Sequence, residues 1–406
     1  MPDSTTPARA SGGSSGGAPG SASPAAYRSP WRTAEHDDLA RTVRTFFTRE
    51  VLPHQEKFIA RGHPDRALYR RAGELGLLGL SVPEEYGGGG GTFEHEAVLF
   101  DEQTRSGDTT LGLMVHCGIL PPYLLDYGTE EQKRRWLPGL CSGENVWAIA
   151  MTEPGAGSDL QGITTRAVRD GDEYVVTGEK TFITNGWLAD RCVVAVKTDP
   201  KHGARGISLL VVDLDDDAPG FRRGPVLHKV GLQGNDTGQL FFDGLRVPAA
   251  NLLGPAEGLG FGQMMAQLPQ ERLVIALLAV AAMDRAVELA LEYTRTRTAF
   301  GEPLFALQNT RFTLAECATL ARVGRTFADD CIARHVRGEL DVATAAMAKY
   351  WLTEQQGIVV DRCLQLFGGY GFTVEYPIAR MFADARVQRI YAGANEVMKE
   401  LVARGL

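Results

Sequence analysis

The chain lacks most of the signatures that identify a chemistry at sight. No two of its six cysteines (Cys117, Cys141, Cys192, Cys317, Cys331, Cys363) have C-x-x-C spacing. Neither a disulfide framework nor a zinc site is indicated, and reduced thiols in a cytoplasmic protein are expected. H-E-x-x-H, G-x-S-x-G and the P-loop are all missing, so the commonest zinc-protease, serine-hydrolase and phosphate-cradling readings fall away. No metal site is expected. The longest apolar run, Leu273 to Met283, is too short to span a bilayer. No basic segment followed by an apolar one opens the chain, so no secretory signal is expected. Lys and Arg number 42 against 50 Asp and Glu, a net charge of −8. That balance argues against a general affinity for nucleic acid or anionic membrane. Residues 1–28 are mostly Ser, Gly, Ala and Pro; with almost nothing to bury, they read as a disordered tail.

What remains suffices for two or three domains: 406 residues, 44% apolar and 23% charged, are globular proportions. Residues 29–146 carry a helical pattern. "EHDDLARTVRTFFTREVLP" spaces Leu39, Val43, Phe46 and Phe47 by three and four, with Pro53 as its stop. In "GTEEQKRRWLPGL", Thr129 is an expected N-cap with Gln132 three residues on. Over 147–252 the texture changes to short β-branched and aromatic runs such as "DEYVVTGEKTFITNG" and "GQLFFDGLRVP", which predict an antiparallel sheet domain. Over 253–406, helical segments near 258–297, 306–337, 341–367 and 379–403 predict a four-helix bundle. The fold class expected is therefore multidomain α+β: helical domain, β-barrel-like domain, helical bundle.

Four stretches are candidates for chemistry. "TEPGAGSD", Thr152 to Asp159, is Gly-rich, but its third glycine is Gly162, which misses the dinucleotide-loop spacing. In "KTFITNG", Phe182 and Thr184 lie two apart on a predicted strand and so face one side. A ring and a hydroxyl there could stack on and hydrogen-bond to a flat heterocycle, or could be ordinary strand residues. In "LPQERLVIALLAVAAM", Glu271 shares a helical stripe with Leu268, Val274, Ile275 and Leu278. Two readings stay open: a buried general base with a raised pKa, or a first-turn acid behind Pro269. "RIYAGANEVMKEL", 389–401, reads as an extended stretch, a turn at Ala392 and Gly393, and a closing helix. His116 and His228 read as structural.

Taken in order, "LGLSVPEEYGG", "AMTEPGAGSD", "GEKTFITNG", "DTGQLFFDGLRVP", "RTAFGEPLFALQ", "LQLFGGYGF" and "IYAGANEVMKELVAR" resemble the acyl-CoA dehydrogenase family, from about residue 31 to the end. The resemblance implies one FAD per subunit, a homotetramer arranged as a dimer of dimers, and α,β-dehydrogenation of an acyl-CoA thioester in β-oxidation. It implies a carboxylate that takes the α-proton while hydride passes to flavin N5, and an electron-transferring flavoprotein as acceptor. Met151, Thr152, Ser158, Phe182, Ile183 and Thr184 would line the flavin pocket. Arg297, Phe300, Gln308, Gln365, Gly368 and Gly369 would hold its pyrophosphate and adenosine, largely from a neighbouring subunit. Ala394 and Glu396 would lie on the cofactor side. Ser158, Arg272, Tyr391 and Gly393 would meet substrate, and the Ala392 N–H would meet the thioester oxygen.

Many members carry the base in a Tyr-Glu-Gly turn, whereas this chain has Tyr391-Ala392-Gly393. A smaller branch, that of the long-chain and isovaleryl-CoA dehydrogenases, carries it instead in an "ERL" helix. Glu271-Arg272-Leu273 matches that pattern. Two departures are Phe182 where Trp is common and Ala394 where Thr is common. The same scaffold would also suit a carrier-protein-bound acyl chain, or dioxygen as acceptor. A non-catalytic scaffold is the remaining alternative.

Overall fold

The fold was read from a computed structural model that describes residues 27–406. The tail expected over 1–28 lies outside these residues except for its last two. Those two belong to the folded body: the Tyr27 hydroxyl donates to Asp329 at 2.7 Å, and Arg28 pairs with Asp37.

Six helices open the chain: α1 (Ala34–Phe46), α2 (Gln55–Arg61), α3 (Ala67–Glu74), α4 (Phe93–Ser106), α5 (Leu120–Tyr127) and α6 (Glu130–Cys141). The apolar spacing of α1 buries Ala40, Val43 and Phe46. Pro53 redirects the chain rather than stopping it, because a π turn at Phe47–Val51 and a 3-10 turn at Leu52–His54 carry it into α2. At α6 the expected capping box is present, Thr129 and Gln132 each bonding the other's backbone N–H. The glycine run at 87–91 folds back tightly on Leu80 and Val82. A Cβ at Gly88 would collide with the Val82 carbonyl, so the run is set by close approach rather than by looseness.

The strands are β1 (Trp147–Ala150), β2 (Arg166–Asp170), β3 (Glu173–Thr184), β4 (Arg191–Lys197), β5 (Ile207–Asp213), β6 (Phe221–Arg223) and β7 (Thr237–Pro248). They pair in the order β1-β4-β2-β3-β7-β6, with β5 on β4. The sheet is mixed, not purely antiparallel: β1 runs parallel to β4. It curls around an interior that includes Tyr174, Val176, Ile183, Val194 and Leu240. Its other face packs on α5, α6 and the start of the next helix.

That helix, α7 (Gly260–Thr296), runs straight through Pro269, and α8 (Gln308–Val336) and α9 (Val342–Gln365) pack against it. The fourth predicted segment is two helices, α10 (Pro377–Gln388) and α11 (Asn395–Ala403). The interruption at 389–394 contains no strand; Ala392 and Gly393 both take positive φ, +52° and +92°. Among the described residues no helix is long and apolar enough to cross a membrane.

Two buried polar contacts lock the layers together. His116, just before α5, accepts from the Trp147 N–H through Nδ1 and bonds the Leu140 carbonyl through Nε2. Burial holds its pKa down at about 4, so it is a neutral structural group. Arg325 of α8 donates to Asp101 of α4 at 2.6 Å and to Asp284 of α7 at 2.7 Å. Arg325→Met would leave Asp101 and Asp284 only the longer contacts of Arg32 and Arg105, a loss of about 3 kcal/mol, the low end for breaking a buried pair. Thermal and denaturant unfolding should show a clearly lowered midpoint, and an unchanged midpoint would deny the bridge a stabilising role.

Candidate active site

Glu271 lies well inside α7, more than two turns past Gly260, so the first-turn reading behind Pro269 does not hold. Its side chain is buried. Burial pushes its pKa up to about 7, while a Tyr123 hydrogen bond and the Arg272 charge pull the other way. The Tyr123 hydroxyl donates to Glu271 Oε1 at 2.8 Å. A polar seam between α5 and α7 aims that hydroxyl. Gln270 donates to the Gly118 carbonyl at 2.8 Å and Gln267 to Asp126 at 2.6 Å. The π turn Met114–Ile119 leads into α5, and a Cβ on its Gly118 would press on Phe100 and Val274. No sequence pattern had singled out Tyr123.

Arg272 is buried, and its Nε has no hydrogen-bond partner among the described residues. Its charge reaches Lys349 of α9, whose pKa burial lowers first and Arg272 lowers further, to about 7. Lys349 in turn bonds the carbonyl of Gly393 at 2.7 Å. The "ERL" stretch and the 391–393 turn are thus brought to one place. The turn is closed by the Asn395 N–H to the Arg389 carbonyl at 3.0 Å. The Arg389 side chain lies against Gly357, where a Cβ would collide with it. Asn395 is buried and bonds Thr353 and Glu354 of α9. Glu396 is exposed and Ala394 half-buried.

A third wall comes from the sheet. Lys180 is fully buried and its Nζ donates to Glu153 at 2.8 Å and to the Met151 carbonyl at 3.0 Å. Glu153 also accepts from the backbone of Thr164 and Thr165. Burial raises its pKa, but Lys180 and these donors prevail and hold it at about 2. The pair pins the Gly-rich loop to β3, where the Thr181 N–H bonds the Thr152 carbonyl at 3.0 Å.

One residue later a bulge interrupts the β3–β7 register, and Phe182 takes φ +59°. Left-handed backbone is costly for a bulky residue. Here the ring stands 67% exposed, with Thr184 half-exposed two residues on. The Ile183 side chain turns into the sheet interior. Asn185, with φ +63°, anchors the strand end through Gly112, Trp147 and Tyr69. Lys180 and Glu153 stand in stretches singled out from the sequence, but their pairing was not foreseen. An exposed ring held by strained backbone, a hydroxyl two residues on and a pinned loop fit a flat heterocycle.

Met151 is half-buried and Ser158 exposed on that loop. Arg297, Phe300, Gln308, Gln365, Gly368 and Gly369 are exposed at the ends of α7, α8 and α9. Arg297 lies over the Tyr370 ring at 5.9 Å, and Phe300, with φ +54°, is 95% exposed. One chain alone does not enclose them with Glu271.

A buried carboxylate poised near neutral pH and an exposed ring on strained backbone, suited to a planar group, fit an oxidoreductase. Comparison with known proteins narrows this. Models of the N-terminal, middle and C-terminal domains of acyl-CoA dehydrogenase match residues 33–144, 148–245 and 258–406. The rat mitochondrial long-chain specific acyl-CoA dehydrogenase is 46% identical over 92% of this chain and 86% of its own. A crystal structure of acyl-CoA dehydrogenase from Geobacillus kaustophilus is 47% identical over 93% of this chain and 99% of that one, with a TM-score of 0.90. A glutaryl-CoA dehydrogenase from Mycobacterium smegmatis, solved in complex with FADH2, is 28% identical over 92% and 95%, with a TM-score of 0.85.

The chain belongs to the acyl-CoA dehydrogenase family, and within it to the long-chain-specific branch. It is an FAD-dependent oxidoreductase that carries out α,β-dehydrogenation of acyl-CoA. The cytoplasmic placement expected from the thiols is corrected by the rat, pig and mouse relatives, all named as mitochondrial. Six free, buried cysteines speak of reducing surroundings and do not tell one reducing compartment from another.

A hydrogen bond donated to an ionised carboxylate lowers its pKa, so Tyr123→Phe should raise that of Glu271 beyond about 7. The acid limb of the pH profile for flavin reduction by an acyl-CoA should move up by about one unit. A limb that stays in place would show that Tyr123 does not act on the titrating group.

Proposed function

We propose that Glu271 is the base that removes the α-proton of a long-chain acyl-CoA. The observation that carries this is its burial in α7 with a pKa raised to about 7 beside Tyr123, while the 391–393 turn offers Ala392 and no acid. A thioester α-proton is weakly acidic, so the charge arriving on the thioester oxygen needs a donor. The Ala392 N–H takes that part, with Tyr391, Gly393, Arg272 and Ser158 as further substrate contacts.

When bound, FAD supplies the hydride acceptor. Phe182 would stack on its ring system, and Thr184, the backbone of Ile183, Thr152 and Met151, and Ser158 would line its pocket. Ala394 and Glu396 stand on its side of the turn. Arg297, Phe300, Gln308, Gln365, Gly368 and Gly369 hold the FAD of a neighbouring subunit in a homotetramer; their exposure within one chain supports this. The domains are 29–146, 147–252 and 253–406, and the family resemblance points to an electron-transferring flavoprotein as acceptor.

Anaerobic mixing with a long-chain acyl-CoA should bleach the flavin of the wild-type holoenzyme. Glu271→Gln should slow the bleaching by about 10²–10⁴-fold, the usual worth of a positioned base. Reduction of the Gln variant at the wild-type rate would remove Glu271 from the role.

A further inference from the structure

The turn that carries no acid is held by a lysine with no part in the scheme above. Lys349 is fully buried in α9. Its Nζ donates to the Gly393 carbonyl at 2.7 Å and to Asn395 Oδ1 at 2.9 Å. Arg272 faces it from α7 and opposes its charge, whereas Glu396 of α11 and Glu354 of α9 favour it. Burying an ammonium beside a second cation is unfavourable. One compensating acceptor lies in the turn and the other, Asn395, opens α11 just after it.

That turn holds Ala392 at φ +52°, a conformation an alanine adopts only when its surroundings impose it. One end is pinned by the Asn395 N–H on the Arg389 carbonyl. The other is pinned by Lys349 at Gly393. Asn395 is itself fixed to α9 through Thr353 and Glu354. The Ala392 N–H lies in the peptide plane shared with Tyr391, so without the Lys349 bond the 391–393 backbone would lose one of its ties, and that plane would be free to tilt as Ala392 relaxes from its left-handed conformation.

We propose that Lys349 is a positioning residue, which by clamping Gly393 and Asn395 holds the Ala392 N–H aimed at the thioester oxygen. The proposal rests on the reading of Glu271 as base and Ala392 as donor. As the Cα–H bond breaks, the proton passes to Glu271 and the electron pair spreads onto the thioester oxygen. An N–H stabilises that oxygen only when fixed in direction beforehand.

A long 3-thia-acyl-CoA tests this on the holoenzyme. It has an acidic α-proton but no β-hydrogen to give up, so its enolate accumulates beside oxidised flavin as a long-wavelength absorbance. Lys349→Met should lower that absorbance at saturation about tenfold or more, part of the roughly 10²–10³-fold cost of losing an oxyanion donor outright. The dissociation constant of the ligand should weaken by no more than the factor by which the enolate is lost, since the remaining contacts stay. Asn395→Ala should give a smaller loss in the same direction.

Full absorbance in Lys349→Met overturns the clamp. So does failure of both variants to yield folded holoenzyme, because Lys349 would then serve folding alone. Glu271→Gln in the same assay separates the two ideas. If it keeps the absorbance, the base reading is wrong. If it loses the absorbance while Lys349→Met keeps it, only the clamp is wrong.

Discussion

The desolvation of one carboxylate governs the rest of the site. Among the described residues Glu271 has no cation at contact distance to neutralise it, and its one direct side-chain donor there is the Tyr123 hydroxyl. A bidentate pair with an arginine would have pulled its pKa far below neutrality and left a feeble base. Glu153 shows that outcome elsewhere in the molecule: burial there is overcome by Lys180 and several backbone donors, and the group sits at about 2. The same side chain is thus a strut in one setting and, in the other, keeps the pKa that suits the base role proposed for it. What differs is whether a charged partner is supplied. Arg272, although next in sequence to Glu271, leaves α7 on another face and makes no ion pair with it.

Around that carboxylate the molecule spends conformational strain in a small number of places. Of the non-glycine residues with positive φ, Phe182, Asn185, Phe300 and Ala392 all fall in or beside stretches assigned to the site. Such residues persist where surrounding structure over-determines them. The over-determination is visible at two of these places as a buried lysine. Lys180 ties the Gly-rich loop to β3 just before Phe182, and Lys349 ties the 391–393 turn to α9. Buried ammonium groups are unfavourable in themselves, so their contribution lies in direction: each fixes a backbone segment whose peptide groups face the site.

The helices were readable because their apolar spacing and caps are local, as in α1 and at Thr129 of α6. The strands β3, β4, β5 and β7 were readable from β-branched runs between turn residues. β1 was not: "WAIA" is short and mostly buried on both faces, which carries no period, and its parallel pairing with β4 depends on contacts distant in sequence. Pro53 and Pro269 misled in opposite ways. One redirects the chain through a π turn; the other is carried inside a long helix whose neighbours hold it. Within the site, Glu271 was visible through its apolar stripe. Its burial, and the hydroxyl that meets it, depend on α5 crossing α7, which no window of sequence contains. For Phe182 and Thr184, the bulge at Thr181–Phe182 resets the phase on which the alternation argument relied.

The absence of an acid at position 392 can be derived from the same electrostatics. Lys349 and Arg272 bring the turn and the "ERL" stretch to one place. A carboxylate on the turn would add a second negative charge to a small desolvated space. Two carboxylates there raise each other's pKa, and one of them stays protonated at neutral pH. Glu271, which burial already holds up at about 7 against the pull of Tyr123 and Arg272, would be pushed out of its working range. A base on the helix therefore requires a turn without an acid. The turn is left with only its backbone N–H to contribute, and that makes the direction of this N–H, rather than any side chain at 392, the property the surrounding residues have to hold.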